Sequence, residues 1–376
     1  MHIIYVVTKL ELGGAQKVCL ALFRGMHGNA SLISGSEGVL VPLVARNKSA
    51  FLLKTFTRDV GLKTLGNEIF SFFQMWRLMR LAKKKYRHVI VHTHSTKAGL
   101  MGRWAAFFAR IPCRIHTIHG FGFNEYQKPL VRKLQFLCEW VTSLITTHYV
   151  CVSRLDYCTG RQLFPRFAKK SSLIHAAVDH IFFNRPTRAH ARDTEVITFG
   201  TISCFKPQKN LIDLLEVFLL VHQHMAGEGK QVHLNIIGDG HLRSTFESWI
   251  DEHKMRPFIT LLGWQDKVAQ HLSTWNVFVM SSLWEGLPCS VVEARLCKLP
   301  VVAYDAGGIS EVILNDKNGF VIPRGNIQLL AEKMILLASD DTLRKRLASY
   351  ADHATLASFN QSHMIDLHKS LYEKLC

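Results

Sequence analysis

The stretch SSLWEGLPCSVVEARLCKLPVVAYDAGGISE, residues 281–311, decides how the rest of the chain is read. Two carboxylates, Glu285 and Glu293, stand eight positions apart, and between them a Gly-Pro turn gives way to the helical apolar pattern Val291, Val292, Ala294, Leu296. That spacing predicts Glu285 on a loop and Glu293 in a helix that ends near Lys298. Pro300 opens a buried-strand run, 301–303, and Gly307 and Gly308 then precede Ile309, Ser310 and Glu311. Strand, glycine turn and helix start, in that order, would expose backbone N–H groups at the positive end of a helix dipole. A phosphate can be held there, with the two glutamates taking hydroxyls. The same residues also fit an ordinary βα unit with a solvated glutamate and a glycine cap, so the neighbouring segments carry the decision.

Upstream of this stretch, strands and helices alternate. Residues 195–200 (EVITFG) read as a strand, followed by TISCFKPQKN, in which Lys206 and Lys209 flank Pro207. Asn210 is placed to cap a helix over 211–222. Two lysines beside a helix start favour a diphosphate more than either feature alone. A strand over 232–237 runs into Gly238-Asp239-Gly240, another over 259–262 runs into Gly263-Trp264, and a third over 277–280 enters the opening stretch.

The N-terminal half repeats the alternation. Residues 2–7 (HIIYVV) form a strand, and Gly13-Gly14-Ala15-Gln16 opens an amphipathic helix; a glycine pair there lets backbone approach a ligand phosphate closely. Residues 31–44 hold a second strand, and the segment up to 66 carries the weakest signal. A helix over 67–87 has a broad apolar face with Trp76, while Arg77, Arg80, Lys83, Lys84, Lys85 and Arg87 crowd its last turns, where cations complement the dipole. It reads as a crossover helix whose basic end, with Trp76 or Phe72, touches anionic lipid; the plainer reading is a core helix with a solvated end. Strands over 88–94 (HVIVHTH) and 113–119 (CRIHTIH) end at His94 and His119, the places where open α/β sheets hold ligands. Ser95, Thr96 and Lys97 follow the first. Neither histidine spacing fits a metal. Helix 130–144, strand 148–152 and a further helix complete a parallel, doubly wound pattern.

At 376 residues and 48% apolar, the chain suits two domains. They are expected at 1–186 and 187–354, with a C-terminal helix over 355–376 packing back on the first. Nine scattered cysteines without a CxxC pair fit reduced thiols rather than disulfides or zinc. The N-terminus reads as a strand and not a signal peptide, and no apolar run is long enough to span a membrane. The net charge of +17 is uneven: residues 1–188 hold 28 Lys and Arg against 8 Asp and Glu, residues 189–376 hold 18 against 21. Such a field attracts nucleic acid, an anionic membrane or an anionic substrate. No nucleic-acid module is present in the pattern, so the membrane surface is favoured over nucleic acid.

Taken in order, GGAQ (13–16), HTHSTKAG (92–99), HTIHG (116–120), FGTISCFKPQKN (199–210), IGDG (237–240), LGW (262–264), SLWEGLPCSVVEA (282–294) and GGISEVI (307–313) resemble the retaining glycosyltransferases of family 4. These have the α/β GT-B fold, two facing Rossmann-like domains with parallel sheets and an interdomain cleft. The resemblance implies a nucleotide-sugar donor on the C-terminal domain and an acceptor on the N-terminal one. By position, Glu293 would bind ribose hydroxyls, Glu285 the transferred sugar, Lys209 the diphosphate, and Gly307, Gly308 and Ile309 would help to position the donor. Gly13 and Gly14 would offer backbone N–H from across the cleft, His119 would contact the sugar near the reacting carbon, and Gly263 and Trp264 would border the base. His94 and Lys97 fall on the acceptor side. The family commonly carries an arginine where this chain has Cys204, and Lys206 is then its stand-in.

The expected catalytic set is therefore His119, Lys209 and Glu285, with no bound metal and no cofactor beyond the donor substrate. The expected activity is transfer from a nucleotide diphosphate-sugar, a UDP-sugar, to a lipid-linked glycan acceptor in polysaccharide assembly, peripheral at the cytoplasmic membrane face. A soluble acceptor, a nucleotide-sugar epimerase without evident acid/base residues, or a non-catalytic nucleotide-sugar-binding subunit are the alternatives.

Overall fold

The computed structural model describes residues 1–26, 28–59, 61–183, 196–350 and 353–375. The chain divides into two compact units, Met1–Ala176 with Gln361–Cys376, and Ala177–Asn360. The boundary expected at 186/187 lies outside the described residues.

The first unit runs β1 (His2–Val7), α1 (Gly14–Gly25), β2 (Ala30–Gly35), β3 (Ala50–Leu53), α2 (Leu65–Lys85), β4 (Val89–His94), α3 (Thr96–Phe108), β5 (Cys113–Ile118), α4 (Pro129–Ile145), β6 (His148–Cys151), α5 (Arg154–Leu163) and β7 (Ser171–Leu173). Its seven strands are all parallel in the order β3-β2-β1-β4-β5-β6-β7. All six residues of β1 are buried, as are all six of β4, the near-continuous burial of a parallel strand covered on both faces.

The second unit runs β8 (Val196–Ile202), α6 (Leu211–Gly227), β9 (Gln231–Ile237), α7 (Arg243–Glu252), β10 (Ile259–Gly263), α8 (Val268–Thr274), β11 (Val277–Met280), α9 (Cys289–Leu296), β12 (Val301–Tyr304), α10 (Ile309–Val312), β13 (Gly319–Ile322), α11 (Ile327–Ser339), α12 (Asp341–Ser349) and α13 (His353–Ser358). Its sheet is parallel too, ordered β10-β9-β8-β11-β12-β13. In each sheet the winding reverses beside the first strand, between β1 and β4 and between β8 and β11. Loops that leave the carboxyl ends of strands at such a reversal form a crevice for ligands.

The last helix, α14 (Gln361–Leu375), belongs to the first unit. It buries Met364, His368, Leu371 and Tyr372 and approaches α1 so closely that a Cβ on Gly25 would lie 2.9 Å from the Ile365 side chain.

Two local expectations are corrected and one weakly patterned segment is resolved. Asn210 does not cap α6 with its side chain; it adopts φ 46°, ψ 47° and joins a 3-10 turn, Pro207–Lys209, to the helix. The helix after Gly307-Gly308 is a single turn, Ile309–Val312, too short to build a macrodipole. Strand β3 lies inside the segment whose pattern was weakest; it is a four-residue edge strand with one buried residue, so alternation had little to act on.

Candidate active site

In the second unit, five loops leave the carboxyl ends of β8 to β12, and two of them are stitched together. The Ser281 hydroxyl donates to the Lys209 carbonyl at 3.0 Å and to that of Asn210 at 2.9 Å. The Leu283 N–H donates to the Gln208 carbonyl at 2.9 Å, and the Gln208 side-chain amide donates back to the Trp284 carbonyl at 2.7 Å. The left-handed Asn210 supplies the bend that brings these groups into register. The result is an ion pair between Lys209 Nζ and Glu285 Oε1, with both side chains largely buried. The sequence assigned these two groups to different parts of a ligand; the structure pairs them with each other.

Gly307 holds the far side of the same loop. At φ +63° its Cα sits so close that a Cβ would lie 2.3 Å from the Glu285 carbonyl oxygen, and the next N–H, on Gly308, donates to the Gly286 carbonyl at 2.6 Å. The Gly308 amide is therefore engaged in holding the Glu285 loop, a correction to its reading as an exposed phosphate donor. Ile309 is fully buried. Glu293, on α9, is buried behind the loop, and beside it the Cys297 thiol is pushed up to about 12, by burial first and then by the Glu293 charge. Gly263, at φ +67°, ends β10, and its carbonyl accepts from the Gly238 N–H at 2.8 Å, tying the β9 and β10 loops together; Trp264 beyond it is partly exposed. Lys206 begins the 3-10 turn, its N–H donating to the Cys204 carbonyl at 2.8 Å.

In the first unit, the corresponding loops follow β1, β4 and β5. Helix α1 starts at Gly14 after an extended Gly13, with no side-chain cap and no acidic residue in its first turn. Its first N–H groups thus lack helical partners, the condition that suits an anion. A pocket opens between the β4 and β5 ends, lined by Ser95, Thr96, His119, Phe121, Phe123 and Gln135 among others. Ser95 is held at φ 67°, a conformation a non-glycine residue rarely adopts, by its hydroxyl contact to Thr8 Oγ1 at 2.7 Å.

His94 and His119 meet: His94 Nδ1 lies 3.0 Å from His119 Nε2. The other nitrogen of His94, Nε2, is buried without a partner. An orphaned buried N–H costs more than an orphaned lone pair, so Nδ1 carries the proton and donates to His119. Burial, then the charge of His368, holds His119 near pKa 3, and burial holds His94 well below the usual histidine range. Both imidazoles are neutral at physiological pH. Lys97 does not join them; its ammonium donates to the Asp59 carbonyl at 2.7 Å and to Glu68 on α2 at 3.1 Å.

Behind His94 lies a polar chain that the sequence did not reveal. His92 Nδ1 is 2.6 Å from the Tyr372 hydroxyl, His92 Nε2 is 2.6 Å from Thr117 Oγ1, and Tyr372 meets Tyr5 at 3.1 Å. His92 and His94 share one face of β4, two residues apart, which was a readable signal. Tyr372 comes from α14 and had none.

Two doubly wound parallel sheets, with their polar and glycine-rich residues gathered on loops at the strand ends, are the two Rossmann-like units of the GT-B fold class. Glycosyl transferases group 1 matches over residues 184–354 and Glycosyltransferase Family 4 over residues 13–182; the chain belongs to the family 4 glycosyltransferases. Among relatives in sequence is UDP-Gal:alpha-D-GlcNAc-diphosphoundecaprenol alpha-1,3-galactosyltransferase of Escherichia coli, 26% identical, covering 96% of this chain and 94% of that protein. The capsular polysaccharide biosynthesis glycosyltransferase CapM of Staphylococcus aureus is 23% identical over 77% of this chain and 76% of its own. In structure, HepE of Anabaena in complex with UDP and glucose is 18% identical and matches over 100% of both chains with a TM-score of 0.84.

Proposed function

We propose that the protein moves a sugar from a UDP-sugar to a lipid-linked, diphosphate-bearing glycan acceptor, with retention and without a bound metal, at the cytoplasmic face of the membrane. The observation that carries this reading is the Lys209 and Glu285 pair at the β8 and β11 loop ends, in a chain related along nearly its whole length to a transferase whose named acceptor is a lipid diphosphate.

Charge builds on the leaving diphosphate as the sugar acquires oxocarbenium character. A cation already fixed at that point stabilises the transition state without reorganisation, by about 2.7–4 kcal/mol per strong group in comparable sites. Lys209 is that cation in this reading, with Lys206 supplementing it where the family arginine is replaced by Cys204. A diphosphate displaces the Glu285 carboxylate from Lys209, and the freed carboxylate turns to the hydroxyls of the transferred sugar. Glu293 takes the ribose, and Gly263 and Trp264 border the base. Gly307 and Ile309 act by shaping the Glu285 loop, as does Gly308. On the acceptor unit, neutral His119 is the catalytic imidazole, oriented by His94, and Gly13 and Gly14 offer backbone N–H groups to an anion. The basic end of α2 faces the anionic membrane, with Arg77, Arg80, Lys84 and Lys85 exposed and Arg80 stacked 5.2 Å over half-buried Trp76.

Incubation of the full chain with UDP-galactose, UDP-glucose or UDP-N-acetylglucosamine and a polyprenyl-diphosphate-linked sugar, in the presence and absence of EDTA, tests the reading. Product with an α-linkage and EDTA-insensitive turnover are expected. Transfer only to water-soluble acceptors would replace the lipid-linked assignment, and no transfer or donor hydrolysis with any sugar nucleotide would remove the enzymatic one.

A further inference from the structure

Helix α4 is turned inside out. Its inward residues are polar: Glu139, Thr142 and Ser143 are buried. Glu139 receives both terminal nitrogens of fully buried Arg103 at 2.8 Å, Thr142 accepts from the Trp104 indole at 3.0 Å, and the Ser143 carbonyl accepts from Lys170 at 2.5 Å. The outward side carries Leu130, Leu134, Leu137, Val141 and Leu144, spaced four, three, four and three residues apart in one stripe. The four leucines are 79%, 60%, 54% and 63% exposed, and Trp140 flanks them. Amphipathic helices on a folded core point the opposite way. On α3, which packs against α4, Phe107 and Phe108 extend the apolar surface, and on α2, which packs against the other side of α3, Ile69, Phe70 and Phe73 do the same. Exposed apolar side chains on three helices packed in a row, with Phe72 of α2 6.2 Å from Phe108 of α3 between ring centroids, mark something that covers them.

We propose that this face, centred on the leucine stripe of α4, is where the protein inserts into an anionic lipid surface. Charge selects the occupant. Helices α2, α3 and α4 carry nine basic side chains against two acidic ones, and both acids, Glu68 and Glu139, are ion-paired to Lys97 and Arg103. Arg132 and Lys133 are exposed on α4, between Leu130 and Leu134, and Lys128 is exposed at its start. Apolar residues flanked by exposed cations complement a headgroup layer of negative charge over acyl chains. A second copy of this face would set like charges against each other. The inward side of the same helix also lines the His119 pocket, through Gln135 and Glu139, so a lipid surface on α4 lies about one helix diameter, roughly 10 Å, from that pocket. This last link, to a lipid-linked acceptor, rests on the function proposed above; the docking face itself does not.

Co-sedimentation of the full chain with phosphatidylglycerol vesicles and with phosphatidylcholine vesicles tests the proposal. The parent chain binds the anionic vesicles, with binding weakened by salt. L134S/L137S, both at exposed positions, keeps the parent melting temperature and lowers vesicle partitioning by at least about tenfold; R132E/K133E lowers it for anionic vesicles and flattens the salt dependence. Parent-like binding by L134S/L137S overturns the proposal. So does the absence of binding by the parent chain, or a dimer in light scattering that L134S/L137S dissociates. Because no sugar transfer is read, vesicle binding without turnover of any lipid-linked acceptor would count against the acceptor assignment and leave the docking face standing.

Discussion

The two units share one strand order and differ in what they bury. The second sheet packs an apolar core of Val, Ile, Leu and Phe side chains, and its paired charges Lys209 and Glu285 sit at the strand ends, where a ligand can reach them. The first sheet carries His92, His94, His116, Tyr5 and Tyr149 inside it, all buried, and a fully buried Arg103 with Glu139 between α3 and α4. The same winding thus supports two kinds of interior. One holds its buried Arg295 against the Leu299 and Tyr350 carbonyls and keeps its Lys209–Glu285 pair on the loops, and the other threads side-chain hydrogen bonds between histidines and tyrosines through the sheet, so that stability and site geometry depend on the same protons.

Acidification should separate the two interiors most strongly. Burial lowers His119 to about 3 and His148 and His368 to about 4, and holds His92, His94 and His116 well below the usual value of 6.5. Between those values and 6.5 the unfolded chain binds protons that the folded chain refuses. Stability therefore rises with pH across the window and is lost on going down through it, each such histidine costing up to about 1.4 kcal/mol per pH unit. In the second unit the histidines with lowered values, His180, His222 and His233, are only half-buried. Urea unfolding followed by hydrogen exchange should show the first unit opening near pH 5 while the second stays protected; equal acid sensitivity would erase the contrast.

Arg103→Ala comes next, stranding Glu139 uncompensated, and should cost about 3–5 kcal/mol. In the double variant Arg103→Met/Glu139→Leu much of that loss should return in the urea midpoint, since a matched apolar pair replaces a matched ionic one. Lys209→Ala should leave both units folded and lower turnover by about 100- to 1,000-fold, well beyond the change in donor affinity from Glu285→Gln; turnover equal to the parent would sink the phosphate assignment. The smallest effect is expected from Tyr372→Phe, which removes one hydroxyl from between His92 and Tyr5, at about 1–3 kcal/mol. Its effect should fall below that when Tyr5 is also Phe, because the two changes remove one shared bond.

Most strand ends were legible because the segments before them are short runs rich in β-branched and apolar residues closed by histidine, glycine or serine: β4 ending at His94, β9 before Gly238 and β11 before Ser281. The Glu285 loop and the Lys209 turn were legible as residue types and spacing. Their pairing was not, since it depends on the left-handed Asn210 and on hydrogen bonds between segments about seventy residues apart. The glycine pair at 307–308 was read through its capacity to expose amides, whereas its use is to let two loops touch backbone to backbone. Helix α4 was visible as a helix, but which side faced inward was hidden, because the pattern rule assumes that leucines point to the core and here Arg103 draws the polar side in.

The Tyr372 hydroxyl that closes the His92 chain is contributed from 367 positions beyond Tyr5. During synthesis the first sheet emerges early, yet α14 leaves the ribosome only after the whole second unit has been made. At about 5–20 residues per second the first unit spends on the order of ten seconds or more with its histidine row uncovered along the seam that α14 fills. Its order of completion is therefore the reverse of its order of translation: the domain begun first is finished last.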